Sequence, residues 1–231
     1  MKEDKMLIRD SFQLYREEFG KILMLGLIVI VPIQFLCILI NNYLYFYYWL
    51  PQIHIADLFY GINMLIAGSL VQIPFIKILD SYRKREYIEF SSAYGSFWQY
   101  GFVVFVMSVL YTLGVVTGTF LLLIPGFVLM VLFNAFPFAV VLDEKKWWEG
   151  FKQAFQFGKS NFWKLCGIIF GFLIVELAVE WIVQSITFLF TDRYLVVASV
   201  VMLVNMLFVP LVTFATGLLY QDWKEQPDSA I

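Results

Sequence analysis

The sequence predicts an all-α polytopic membrane bundle: six transmembrane helices in three hairpin-like repeats, with interfacial amphipathic helices between them. Three observations carry this reading. Of the 231 residues, 61% are hydrophobic and only 15% charged, whereas soluble domains hold about a quarter charged residues. Apolar runs repeatedly reach the roughly 20 residues a helix needs to cross a bilayer. Finally, fifteen of the 16 lysines and arginines fall on one side of a six-span reading, as the positive-inside rule requires.

In chain order, Ile8, Phe12, Tyr15 and Phe19 recur at helical spacing, with Arg9, Asp10, Gln13, Arg16 and Glu17 on other faces. This pattern suits an amphipathic helix at the cytoplasmic interface, or equally the exposed face of a small cytoplasmic helix. The apolar run that follows lacks a small-x-small cleavage pattern, so the first span, about 20–41, is expected to remain as an uncleaved anchor. Pro32 should kink it. An aromatic cluster, Tyr43 to Trp49, then suits the headgroup level, where a ring is half wet.

Span two, about 55–79, contains Pro74, and Lys77 lies close enough to its inner end to snorkel. Arg83-Lys84-Arg85 follow, then a second short amphipathic stretch with Tyr87, Phe90, Tyr94 and Phe97 at helical spacing. No charged residue occurs from Phe90 to Leu142. That length suits an interfacial lead-in and two spans, about 98–117 and 120–142, joined by a tight turn at Thr117-Gly118-Thr119. Gly114 and Gly118 form a small-xxx-small pair of the kind that lets helices approach.

The most patterned stretch runs from Phe120 to Lys164. It enters through Pro125-Gly126, passes Phe136-Pro137-Phe138 and leaves at Asp143-Glu144-Lys145-Lys146. A basic, Trp-rich helix follows. Trp147, Trp148, Phe151, Ala154, Phe155 and Phe162 make one face; Lys146, Glu149, Lys152, Gln153, Gln156 and Lys159 make the other. An interfacial helix touching anionic lipid through Lys145, Lys146, Lys152, Lys159, Trp147, Trp148 and Trp163 accounts for this pattern; partner docking is the other reading. Span five, about 165–188, carries a second small-xxx-small pair, Gly167 and Gly171. Span six, about 194–220, contains Pro210. No linker, low-complexity tract or soluble domain is left over, so residues 1–231 read as one integral membrane domain with both termini cytoplasmic.

The even spans end alike. Pro74 precedes Asp80 by six residues, as Pro137 precedes Asp143; a third copy, Pro210 to Asp222, is longer by six. The odd spans begin alike as well, at Ser11-Phe12, Ala93-Tyr94 and Ala154-Phe155. Each unit is thus an amphipathic helix followed by a membrane hairpin. Repeats of this kind often form sites at their interfaces, and three same-direction units allow a pseudo-threefold axis along the membrane normal.

Carboxylates within a span are expensive and are functional candidates by default. Glu176 and Glu180 lie one turn apart in span five, with Gln184 and Thr187 continuing the stripe. Gln34, Asn134 and Asn205 fall at comparable depth, so Glu176, Glu180, Gln184, Asn134, Asn205 and Gln34 are the candidate intramembrane polar site. Three readings stay open: an interhelical hydrogen-bond network with a protonated carboxyl, a proton- or ion-coupled site, and a cavity for a polar headgroup or solute. No nucleophile elbow, phosphate loop, paired metal ligands or nucleic-acid module appears. No catalytic residue, metal or cofactor is therefore expected. Cys37 and Cys166 should lie at different depths, which argues against a disulfide, and His54 falls in an outer loop.

At Pro125-Gly126, Phe136-Pro137-Phe138, the run Ala154 to Trp163 and the closing Leu218-Leu219-Tyr220-Gln221-Asp222, the chain resembles the YciC-like six-span bacterial membrane proteins. These are similar in turn to the membrane domain of some glycerophosphodiester phosphodiesterases. The family often shows serine where this chain has Ala154, which removes a polar contact. The resemblance implies a non-enzymatic protein of the bacterial cytoplasmic membrane that supports envelope integrity, the lipid environment or a partner membrane complex. The phosphodiesterase activity does not carry over, because its catalytic domain is absent. The alternative is a transporter or permease-like subunit for a lipid or small amphiphile, working around Glu176 and Glu180. The partners implied are membrane lipid and either another membrane protein or a second copy of the chain, with no nucleic acid.

Overall fold

The computed structural model describes residues 2–47 and 55–225, and every regular element among them is helical. Tyr48, Trp49 and His54 lie outside the described residues. Six helical runs are long and apolar enough to cross a membrane, so this is a multi-pass membrane protein: Phe19–Tyr47, Ala56–Lys84, Phe90–Leu121, Leu123–Asp143, Phe162–Phe188 and Tyr194–Lys224.

The helices are α1 (Lys2–Glu17), α2 (Phe19–Leu25), α3 (Val31–Tyr47), α4 (Ile55–Val71), α5 (Ile73–Lys84), α6 (Phe90–Leu121), α7 (Leu123–Phe133), α8 (Phe136–Asp143), α9 (Trp147–Ser160), α10 (Phe162–Phe188) and α11 (Tyr194–Lys224). Proline chemistry sets several of the breaks. Its missing N–H and its ring disfavour an uninterrupted helix, except in the first turn. Span one therefore passes through a π-turn, Gly26–Ile30, just ahead of Pro32. Span two breaks at Gln72 and restarts with Pro74 in the first turn of α5. Span four breaks between α7 and α8, again with proline in the new first turn. Pro210 is different: it lies inside a continuous α11.

Two expectations are corrected. The turn between spans three and four is not at Thr117-Gly118-Thr119. Helix α6 continues to Leu121, and the chain reverses at the extended Leu122. Thr119 stays helical, its hydroxyl donating to Val115 O at 2.8 Å. Gly118 is a packing position instead: a Cβ there would meet Gly126 backbone at 3.0 Å. That close approach seats α6 on α7, while Gly114 has open space around it. The second amphipathic stretch is not a separate helix either. Residues 86–89 are non-helical, which leaves Tyr87 outside, and Phe90 opens a single 32-residue helix that runs straight into the membrane.

The ends of the three even spans converge. A Cβ on Gly217 would meet Leu79 at 2.2 Å and Phe138 at 2.8 Å, so one residue from each hairpin shares this point. Around it Phe75, Phe136, Phe138, Phe157, Phe214 and Tyr220 are fully buried. Lipid tails are as apolar as these side chains, so close packing and polar links between helices hold such a core more than burial itself does. The opposite end is looser. Phe120 to Ile124 and Phe188 to Phe190 are largely exposed, and along α10 only Leu165 is buried. The converged end, where the span-end lysines and arginines lie, is the basic end; the other is the far end.

Candidate functional site

Three of the six candidate polar residues meet on α10 and α11. When the Asn205 amide is oriented by its hydrogen-bond network, its nitrogen donates to Glu176 Oε1 at 2.8 Å and to Glu180 Oε1 at 2.7 Å. The helical spacing makes this possible, since carboxyls four residues apart on one helix face the same neighbour. One NH₂ carries two hydrogens, so a single asparagine satisfies one oxygen on each carboxyl.

Asn205 also lines a cavity of about 250 Å³ that extends toward the far end between α3, α4, α10 and α11. Gln34 and Gln184 line it too, which unites five of the six candidates around Asn205. Asn134 is the exception. It sits at the α7–α8 break, on another hairpin, and makes no hydrogen bond to the carboxylates. Equal depth along the membrane did not mean the same face of the bundle.

The cavity also contains residues that sequence reasoning passed over. Asn41 is 3% exposed. Its Oδ1 accepts from Asn63 at 3.0 Å, while its Nδ2 has no partner. Gln34 Oε1 is likewise buried without a partner. Tyr60 and Tyr194 complete the polar wall, and Tyr194 also reaches Asn42 at 3.5 Å. Asn41-Asn42 at the end of an apolar run was the available signal, overshadowed by the aromatic cluster beside it.

At the basic end all three exit aspartates of the repeat are ion-paired, Asp80 within its own helix and the other two across hairpins. Asp80 accepts Lys77 at 3.1 Å and Lys84 at 2.9 Å. Asp143 accepts Tyr220 Oη at 2.5 Å, together with Gln153 and Lys224. Asp222 accepts Arg83 at 2.8 Å. The third hairpin thus gives a cation to the second and takes one from the first.

Gln153 corrects the reading of α9. It was expected on the charged, solvated face but is 6% exposed, and it also donates to Tyr220 Oη at 2.6 Å. Phe157, Ala154, Gly150 and Gly158 are the other buried residues, so the packed face is rotated away from the tryptophans. Trp147, Trp148 and Trp163, with Lys145, Lys146, Lys152 and Lys159, are all exposed. Gly167 and Gly171, the second small-xxx-small pair, have open space around them.

A family model matches residues 84–222, from the end of α5 to the last exit aspartate. The chain belongs to this family, described as a domain of unknown function (DUF7847). The DUF7847 region holds α6 to α11, and so it contains Asp143, Glu176, Glu180, Asn205 and Tyr220 but not Gln34 or Asn41. No curated protein and no solved structure matches the chain.

Proposed function

We propose that the chain is a non-enzymatic protein of the bacterial cytoplasmic membrane that receives the polar end of a lipid or other small amphiphile in the far-end cavity. The observation that carries this is that Asn41 and Gln34, each with a buried polar atom that has no partner (Nδ2 and Oε1), both line a cavity within a membrane bundle. Within hydrocarbon an unsatisfied polar group costs several kcal/mol. A ligand offering one acceptor and one donor would remove that cost at both atoms. About 250 Å³ suits a headgroup rather than a whole amphiphile. The rest of the wall, including Ile38, Met64, Val197 and Val201, is compatible with the start of an acyl chain. The lysine distribution supports a cytoplasmic basic end, and in that orientation this cavity belongs to the outer half of the bilayer. The test is mild-detergent purification followed by native mass spectrometry. Wild-type protein should retain a small molecule, and Gln34→Leu and Asn41→Leu should each lower its occupancy about fivefold, the worth of one hydrogen bond. Equal retention by all three proteins would overturn the proposal.

A second reading, support of the lipid environment or of a partner membrane complex, draws on the basic end. Exposed Trp147, Trp148 and Trp163 beside four exposed lysines offer a surface suited to anionic headgroups. It predicts that replacing both Trp147 and Trp148 with alanine alters association with anionic vesicles and leaves the far-end cavity untouched.

A further inference from the structure

A second cavity, of about 510 Å³, opens at the basic end among the three span exits. We infer that it binds a phosphate ester anion, held by Lys77 and Lys84 of the first hairpin, Lys145 after the second and Lys224 of the third. All four line it.

The charges are layered. The Asp143 and Asp80 side chains are 5% and 11% exposed, whereas those of Lys77, Lys84 and Lys224 are 31%, 56% and 43% exposed. The two aspartates face inward and the ammonium groups face the opening, with the Glu144 carboxylate exposed beside them. The carboxylates are also occupied. Asp143 is met by three donors from α9 and α11. Glu144 at the rim accepts Tyr100 Oη at 3.4 Å. On Asp80 the balance does not close, because Lys77 and Lys84 both bind the same oxygen, Oδ2. Over the whole lining, four lysines stand against three carboxylates, Asp80, Asp143 and Glu144, which leaves one positive charge at the wall, with Glu86 acting on Lys84 from outside it. Each ammonium has three N–H donors, so Lys77 and Lys84 keep donors for a ligand beside their bonds to Asp80. A tetrahedral oxyanion with several acceptors matches cations converging from different helices better than a planar carboxylate does. The site also lies where the spans end, the depth of lipid phosphates. An anionic phospholipid and a soluble phosphate ester share this chemistry.

The experiment uses the full chain in phosphatidylcholine nanodiscs at fixed ionic strength. Thermal unfolding is followed with added glycerol 3-phosphate, and separately with phosphatidylglycerol built into the disc. Stabilisation by phosphatidylglycerol alone assigns the site to lipid; stabilisation by glycerol 3-phosphate assigns it to a soluble ester. In either case Lys145→Gln, at an exposed position, should weaken the apparent affinity about fivefold, from about 1 kcal/mol per lysine at a membrane surface. Asp80→Asn should strengthen it by a similar factor, because it leaves both Lys77 and Lys84 unbalanced. A site that only stitches helices together would give no phosphate-dependent stabilisation, or a stabilisation that neither substitution changes. Either result overturns the inference.

Discussion

Asn205 is the residue on which the membrane carboxylates depend. It gives one hydrogen to each of Glu176 and Glu180, and both carboxyls are only partly buried along a helix that otherwise buries almost nothing. Asn205→Leu removes both donors and leaves two acceptors inside the bundle. We expect a loss of about 1–3 kcal/mol for each acceptor left unpaired, read as a lower melting temperature in detergent. Glu176→Gln can still hydrogen-bond to the asparagine and should melt close to wild type. If Asn205→Leu melts like wild type, the pairing contributes nothing. Glu176 and Glu180 were legible from sequence because a charge in an apolar span has no ordinary explanation. Asn41 and Tyr220 were not, since a neutral polar residue near a span end has many explanations and only its neighbours choose among them.

At the scale of elements, α9 is fastened where its sequence pattern suggested solvent. Gln153 reaches Asp143 and Tyr220, and Gly158 lies so close to Leu132 that a Cβ would meet its carbonyl oxygen at 2.3 Å. Backbone cannot yield as a flexible side chain can, so Gly158→Ala should cost about 1–3 kcal/mol as overpacking. Gly167→Ala, with nothing within 4 Å, should be close to neutral. Gln153→Leu should raise amide hydrogen exchange across α9 while leaving α6 protected; unchanged exchange would mean the fastening contributes little. The amphipathic pattern of α9 was readable, but its rotation was not. A glutamine on the inner face looks like part of a polar stripe until Asp143, 10 residues back, and Tyr220, 67 residues ahead, supply its partners. The α6–α7 turn was misplaced for a related reason. Thr-Gly-Thr is turn chemistry in water, but here a threonine hydroxyl returns to its own helix and the glycine receives Gly126.

For the whole molecule, the span ends that the repeat marks, Pro74–Asp80 and Pro137–Asp143, are where the hairpins meet. All three exit aspartates carry ion pairs, and those of Asp143 and Asp222 cross between hairpins. The number of spans followed from the apolar runs, and six helices of sufficient length are present among the described residues. Orientation is a separate claim. With Cys37 and Cys166 replaced by serine, single cysteines at Lys146 and Asp192 should label from opposite sides of intact cells, Asp192→Cys from outside; the reverse pattern would place the far-end cavity in the inner leaflet. What the far-end cavity holds decides the function. The most direct measurement is an experimental density map of the protein in discs of its native lipid. Non-protein density should fill the far-end cavity, with polar atoms within hydrogen-bonding distance of Asn41 Nδ2 and Gln34 Oε1. A cavity closed by Asn41 and Gln34 pairing with protein groups would contradict it.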